Sequence, residues 1–437
     1  MNTESIGNKF DVIIVGAGFA GTTAALECAR AGLGTALIER GGYYGGKQVT
    51  GNLLHTNVIG ELLPDFYHEP CVDRFAARRE LALISGESVF SASFESGAWA
   101  KPPYNSTWIV RRDVFDPWYM DKAQKAGAKV FNGISVKDLI FEKNSVVGVV
   151  TEDGVVYRSK IVIIASGSNT ALTRQVGLQP EFRRGSYILG IKEVLSMDSG
   201  LLESRFNVES SEGATMQLYG DVAGDYTGSG FLVTNRESVS IGLGINIKSL
   251  KNTHRNAALE LLMRMKEIPY IKRRIHGAKS KSMFLSISIE TGFELVSQLY
   301  CDGAMVVGDA AGFINANLYP RGSLIATVSG RHAAETAVEA IKKGDVSGRM
   351  LSSYADRMEN SFVMRDMRRY SRTPYFAENL PDFFSRYPKM AVEVAQEFLT
   401  NDNSPVDERQ KKVFTRVKQE LEMFPFLREM WHTKRFF

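Results

Sequence analysis

The string Gly16-Ala17-Gly18-Phe19-Ala20-Gly21 constrains this chain more than any other feature. It directly follows Phe10 to Val15 (FDVIIV), an apolar run of strand formers too short for a helix. It opens an Ala-rich segment with helical spacing from Phe19 to Ala31, which breaks at Gly32 and Gly34. Thr35 to Ile38 is a second apolar strand, closed by Glu39. A strand–helix–strand unit of about 30 residues has the size of a parallel crossover, and a G-x-G-x-x-G in that context marks a dinucleotide loop. Gly16 permits the tight turn, Gly18 lets the backbone approach a pyrophosphate, and Gly21 lets helix and strand pack closely. The helix start around Ala20 offers N–H groups and a partial positive charge to phosphates. Glu39, with Arg40 beside it, is placed to accept hydrogen bonds from a ribose diol, which disfavours a 2′-phosphate.

A second signal, Val307-Gly308-Asp309-Ala310-Ala311, follows the buried-strand run Ala304 to Val307. An Asp at that place suits a sugar-like ribityl chain. The long Ala-rich helix expected from Ser323 to Ile341 aims its positive end beyond Gly322, which suits an electron-rich flavin pyrimidine. Together the two signals favour FAD over NAD, and no second crossover unit offers a dedicated NAD(P)H domain.

The remaining segments give the organisation. Asp113 to Ala126 reads as a helix, Asp153-Gly154 as a hairpin turn, and Lys160 to Ile164 as a buried strand running into Ala165-Ser166-Gly167. From Tyr187 to Ser249, β-prone runs alternate with Gly and Asn, as in an antiparallel sheet inserted between halves of a nucleotide fold. The expected fold is α/β, a glutathione-reductase-type FAD-binding Rossmann domain split in sequence, with an inserted antiparallel substrate sheet and a helical C-terminal region. The expected boundaries are 1–80, 111–180 and 301–345 for the FAD-binding parts, 81–110 for a substrate or cap segment, 181–300 for the sheet domain, and 346–437 for the helical end.

Composition limits the chemistry. With 437 residues, 44% hydrophobic and 23% charged, the chain is ordinary and globular, and its net charge of +4 is scattered, so no nucleic-acid face is indicated. Three cysteines, Cys28, Cys71 and Cys301, lie far apart. A cysteine-held iron–sulfur cluster needs about four thiolates, and Cys/His zinc spacings are absent. No metal site is expected, and any electron-handling centre must be organic or belong to a partner. No apolar run approaches the roughly 20 residues that span a bilayer. With no secretory leader at the N-terminus, the cytoplasm is expected, extending to peripheral attachment at the inner face of the membrane. Leu421 to Phe437 (LEMFPFLREMWHTKRFF) pairs aromatics with Lys434 and Arg435; packing onto the core is favoured for it over contact with an anionic membrane.

Beyond these motifs the sequence resembles the FixC type of the electron-transfer-flavoprotein:quinone oxidoreductases, within a superfamily that includes geranylgeranyl reductases. The resemblance rests on GGYYGGKQVTG (Gly41 to Gly51), ELLPDF (Glu61 to Phe66), VRRDVFDPW (Val110 to Trp118), GIKEV (Gly190 to Val194), FLVTNRESVSIGLG (Phe231 to Gly244), QLYCDGAMVVGDAA (Gln298 to Ala311) and RYPKMAVEVAQEFLTNDNSP (Arg386 to Pro405). It implies FAD between the nucleotide domain and an antiparallel sheet covering the isoalloxazine. It further implies Arg112 at the diphosphate or adenosine side, Val136 at adenine through its backbone, and Ala165 and Gly167 nearby. Gly46 and Lys47 would come near the flavin ring, Lys47 being the one side chain offered as a catalytic candidate. Gly322, Ser323 and Leu324 would present N–H groups to the pyrimidine edge. The run Asn317-Leu318-Tyr319-Pro320-Arg321-Gly322 departs from the charged and polar residues the family usually carries there.

The expected function is an FAD-dependent oxidoreductase passing electrons between a ferredoxin-like protein or electron-transfer flavoprotein and a quinone or other hydrophobic acceptor. The first alternative is a flavin-dependent reductase, oxidase or hydroxylase of a lipid-like or biosynthetic small molecule. Against its prenyl-reductase form, none of Trp99, Trp108, Trp118 or Trp431 stands in a Tyr-x-Trp-x-Phe-Pro signature. The second alternative is a non-catalytic, FAD-bearing assembly subunit.

Overall fold

Hydrophobic alternation and glycine punctuation build two sheets among the described residues, one of eight strands and one of nine. The computed structural model describes residues 8–42, 53–102, 104, 107–178, 187–250, 257–289, 293, 296, 298–314, 321–371, 381–401 and 403–421. Gly46, Lys47, the 315–320 run and residues 422–437 lie outside them. Contacts divide the chain into Met1–Val72, Val110–Arg183 and Ile289–Ser371 as one unit, and Asp73–Ile109, Arg184–Ser288 and Arg372–Phe437 as the other.

The first unit is a parallel α/β layer. Strand β1 (Lys9–Val15) lies centrally; β2 (Thr35–Glu39) and β7 (Lys129–Asn132) follow on one side, and β10 (Val156–Ile164) and β17 (Ala304–Val306) on the other. All four of these pairings are parallel. Apolar residues on both faces explain the unbroken runs: Val12, Ile13, Ile14, Ala36, Leu37 and Ile161 through Ile164 are fully or almost fully buried, as a sheet covered on both sides requires. A meander of β8 (Val136–Glu142) and β9 (Ser145–Thr151) joins β10 antiparallel, with Val156 opposite Val150 across the expected Asp153-Gly154 turn. A two-residue strand, β16 (Tyr300–Cys301), ends the other edge. Helices α1 (Phe19–Arg30), α3 (Arg112–Lys125) and α8 (Gly322–Lys343) cover the layer, and α8 extends the sequence expectation by a residue or two at each end. The same unit holds the short β3 (Leu53–His55), α2 (Asn57–Leu62) and α4 (Ala171–Gln175), then α9 (Gly348–Glu359) and α10 (Phe362–Arg369).

The second unit is dominated by an antiparallel sheet in the order β15 (Lys279–Ile289), β11 (Tyr187–Ser196), β14 (Ser238–Asn246), β13 (Gly228–Thr234), β12 (Glu212–Gly220), β4 (Val72–Ser85) and β6 (Thr107–Val110), with β5 (Ser88–Glu95) on β4. One junction, β12 on β4, is parallel. Three helices, α5 (Ser199–Phe206), α6 (Ala257–Glu267) and α7 (Pro269–Ile275), interrupt the strand run. Leu202, Phe206, Leu261, Leu262, Met265 and Ile271 from these helices pack on Ile84, Met216, Leu218, Leu232, Ile241 and Leu243 of the sheet to form its core. Two further helices, Arg386–Leu399 and Val406–Leu421, follow. No described helix is long and apolar enough to cross a membrane.

Candidate functional site

Parallel strands bring their carboxyl ends to one edge, and in open α/β sheets that edge is where ligands bind. Here register and backbone hydrogen bonds align it closely. Val15 pairs with Ile164 and with Ile38, and Ile164 with Val306. Gly16 N–H donates to the Ile38 carbonyl at 2.8 Å, Ala165 N–H to Val15 at 2.9 Å, and Val307 N–H to Ile164 at 3.0 Å. Gly16, Glu39, Ala165 and Gly308, scattered across the sequence, therefore meet along one line.

The glycines in that line are dictated by space. Gly16 adopts φ +105°, and a Cβ on it would lie 2.3 Å from the Ala165 carbonyl oxygen. A Cβ on Gly21 would lie 1.9 Å from the Gly16 oxygen. Gly18 has nothing within 4 Å of its Cβ position, so there the missing side chain leaves room for a ligand. Gly167 (φ +63°) is likewise open, in the turn after β10. On the far side, Gly308 (φ +61°) donates its N–H to Ser329 Oγ at 2.9 Å, tying the strand end to α8.

Helix α1 begins at this edge without a side-chain cap and without an acidic residue in its first turn. The same holds for α8, whose N-cap is Arg321. By contrast α5, α9 and α10 are closed by Asp198, Ser347 and Ser361. Uncapped N-termini leave backbone donors seeking an anion or polar partner. Gly322, Ser323 and Leu324 form the first turn of α8, with open space at Gly322 and Leu324 buried.

Arg112 stands over the start of α1. Its guanidinium carbon lies 4.2 Å from the Phe19 ring centroid, and its Nε donates to Asp116 Oδ1 at 2.6 Å. Both charged side chains are only 6% exposed. The terminal amino groups of Arg112 make no hydrogen bond to a described residue, which leaves a buried cation with free donors beside an uncapped helix. Burial raises the Asp116 carboxyl, and Arg112 opposes that rise. Burial also pushes Asp309 up to about 6, with Arg112 again the opposing charge. Arg112 is thus close enough to act on both acids. The sequence reading did not single out Asp116; its i, i+4 spacing from Arg112 on one helix was the available signal.

Glu39 has both oxygens engaged. Oε2 accepts from Ala17 N–H at 2.9 Å and Oε1 from Gly41 N–H at 2.7 Å. Each oxygen retains a second lone pair, so the carboxylate is oriented rather than consumed. Ile134 N–H donates to the Glu39 carbonyl at 3.0 Å, which brings the start of β8, and with it Val136, toward the same end of the edge. Arg40 is exposed beyond it.

These features fit a dinucleotide: open space at Gly18, uncapped donors, an oriented acid at the end of β2 and a cation with free amino groups. Two of the three cysteines are poor nucleophiles. Burial pushes the Cys28 thiol up to about 12 and Cys301 up to about 11. Among the described residues no group of three or more His, Cys, Asp or Glu could hold a metal ion.

Comparison with known proteins agrees with this geometry. Residues 11–182 match the FAD dependent oxidoreductase family, and residues 373–437 match the ETF-QO/FixC family C-terminal domain. The protein named "Probable electron transfer flavoprotein-quinone oxidoreductase YdiS" of Escherichia coli K12 is 34% identical over 94% of this chain and 95% of its own length. Protein FixC of the same organism is 34% identical over 94% of this chain and 95% of its own. A geranylgeranyl bacteriochlorophyll reductase-like protein from Thermoplasma acidophilum shares the fold, with a TM-score of 0.71, 23% identity and coverage of 95% of this chain and 99% of that one. With relatives of this identity spanning nearly their full length, the chain belongs to the FixC/electron-transfer-flavoprotein–quinone oxidoreductase family and is an FAD-dependent oxidoreductase.

Proposed function

We propose that this enzyme takes electrons from a protein carrier, a ferredoxin-like protein or an electron-transfer flavoprotein, and delivers them to a quinone or another hydrophobic acceptor. The observation that carries this reading is the pairing of one complete dinucleotide edge with only three cysteines in the chain. Among the described residues there is one such edge and no second crossover unit for a nicotinamide, and three cysteines are too few to ligate a cluster. FAD, when bound, supplies the redox chemistry, accepting and releasing up to two electrons.

The chain's own groups hold and tune it. Gly16, Gly18, Ala20 and Gly21 with the α1 N-terminus would take the diphosphate, and Arg112 would donate its free amino groups there. Glu39, Arg40 and Val136 would hold the adenosine end, with Ala165 and Gly167 lining the turn between. Gly308 and Asp309 would receive the ribityl hydroxyls. Gly322, Ser323 and Leu324 would place N–H groups and the positive end of α8 at the pyrimidine, stabilising negative charge there. Gly46 and Lys47 keep their proposed place near the ring on the strength of the family resemblance alone.

The test is anaerobic reduction of the purified holoenzyme by NADH, NADPH, dithionite-reduced ferredoxin and reduced electron-transfer flavoprotein, followed by reoxidation with quinones. The reading predicts slow bleaching by both nicotinamides, fast bleaching by a protein carrier, and reoxidation by quinone. Rapid bleaching by NADH or NADPH alone overturns it.

A further inference from the structure

Strand β15 (Lys279–Ile289) is the outermost strand of its sheet: β11 pairs with one side of it, and no strand pairs with the other among the described residues. The Phe284 ring lies 5.2 Å from Lys192 Nζ of β11, so the even-numbered residues of β15 share the face of Lys192. The odd-numbered ones share the face of Ile191 and Leu195, whose side chains belong to the core built with α5, α6 and α7. That apolar face runs on into β15, yet there Met283, Leu285 and Ile287 are 45%, 64% and 51% exposed. A long edge strand with an open apolar stripe is a template for pairing with another chain unless charge, proline or a bulge blunts it. Lys279 and Lys281 guard only the start of β15, and no Pro, Gly or charged residue stands from Ser282 to Ile289.

We propose that β15 pairs antiparallel with β15 of a second copy of this chain, about a two-fold axis passing between the two Phe284 residues, so that two sheets join into one. The strand itself selects that partner. Its even positions read Ser280, Ser282, Phe284, Ser286 and Ser288, a palindrome about Phe284. Pairing about that centre sets Phe284 against Phe284, Ser282 against Ser286 and Ser280 against Ser288, and aromatic and hydroxyl pairs are favourable cross-strand combinations. On the other face Met283 of each copy meets Leu285 of the other, and the stem of Lys281 covers Ile287. The lysines also fix the direction. In the antiparallel arrangement the two Lys281 residues stand about 20 Å apart along the strands, beyond the reach of repulsion screened over about 10 Å at 0.1 M salt. A parallel pair would hold them about 5 Å apart. A two-fold contact of this kind closes at two copies. The stripe and backbone edge of both copies would bury on the order of 1,000 Å², the lower limit for a specific interface, so the dimer should dissociate on dilution.

The test uses flavin-loaded, full-length protein in sedimentation velocity across a dilution series. Wild type should pass from the 48.5 kDa monomer to a species of twice that mass as concentration rises. Leu285→Lys, which places a cation in the middle of the stripe, should weaken the dimer at least about tenfold. Phe414→Lys, at an exposed apolar residue of the helix Val406–Leu421, should leave it unchanged. Cysteines read the register. An equal mixture of Met283→Cys and Leu285→Cys should form an intermolecular disulfide under mild oxidation. Neither variant alone should, because identical positions then stand about 8 Å apart, beyond bridging distance. Wild type, with its free Cys28, Cys71 and Cys301, supplies the background. A wild type that stays monomeric at every concentration overturns the second copy as occupant. A dimer that Leu285→Lys leaves intact overturns β15 as its seat, and crosslinking of either single variant overturns the register. Should Leu285→Lys lose flavin, Leu285→Thr carries the same comparison, with a smaller loss expected.

Discussion

A Cβ on Gly330 would lie 2.1 Å from the Ala20 carbonyl oxygen, so α8 crosses α1 backbone against backbone. From the strand side, the Cβ position of Gly308 lies 3.1 Å from the Ala20 Cβ. Three segments distant in sequence are therefore gauged by the absence of two side chains. Gly330→Ala should destabilise the protein by about 1–3 kcal/mol through overpacking and push α1 away from α8. Urea melts should show the loss, and flavin retention after gel filtration should fall with it. An unchanged melt would mean the crossing relaxes freely.

Arg112 and Asp116 form a buried pair at 2.6 Å. Removing the cation alone strands a carboxylate, which costs about 3–5 kcal/mol, whereas a hydrophobic pair of similar volume is often tolerated. Arg112→Ala should therefore lose both stability and FAD. Arg112→Met with Asp116→Leu should recover most of the melt yet bind FAD at least about tenfold more weakly, as expected when a hydrogen bond from a charged group is lost. FAD titration of the cofactor-free protein separates the two effects.

Asp309 makes the cofactor-free protein pH-sensitive. Its carboxyl, pushed up to about 6 by burial, holds its proton more tightly when folded than when unfolded. Its contribution to stability is full below the unfolded value of about 3.9 and is lost as pH rises through the folded value. Relative to Asp309→Asn, the wild-type cofactor-free protein should lose about 1–3 kcal/mol between pH 4 and pH 7. Thermal melts of both proteins across that range check it; parallel curves refute it.

Arg74 tests the second unit. Nε donates to the Asn235 carbonyl at 2.9 Å; Nη1 donates to Glu209 and Glu212 carbonyls at 3.1 and 3.0 Å; Nη2 reaches Glu203 Oε1 at 2.8 Å and the Arg236 carbonyl at 3.0 Å. One fork thus ties β4 to the β13–β14 turn and to the approach to β12. Lysine keeps the charge but has three donors on a single atom and cannot span those acceptors. Arg74→Lys should cost about 2–4 kcal/mol by leaving buried carbonyls unpaired. The urea midpoint should fall while the folded fraction keeps its FAD.

Local sequence alone determined the elements whose cause is local. The turn at Gly16, the helix opening at Phe19, the acid closing β2 at Glu39 and the Asp153-Gly154 hairpin follow from steric freedom, periodicity and turn chemistry within a few residues, and the structure has each of them. The FAD assignment also came from sequence, because the glycine loop and the Gly308-Asp309 strand end are both short patterns. Tertiary structure decided what those patterns face. Arg112 was expected near the cofactor, but its setting between Phe19 and Asp116 depends on how α3 packs on α1. The parallel β4–β12 junction pairs Phe75 with Glu212, a partnership no local pattern encodes. The same is true of the Arg74 fork and of the crossing at Gly330. A strand or turn is chosen by its own backbone, whereas a contact between distant segments exists only once the whole chain has packed and excluded the alternatives.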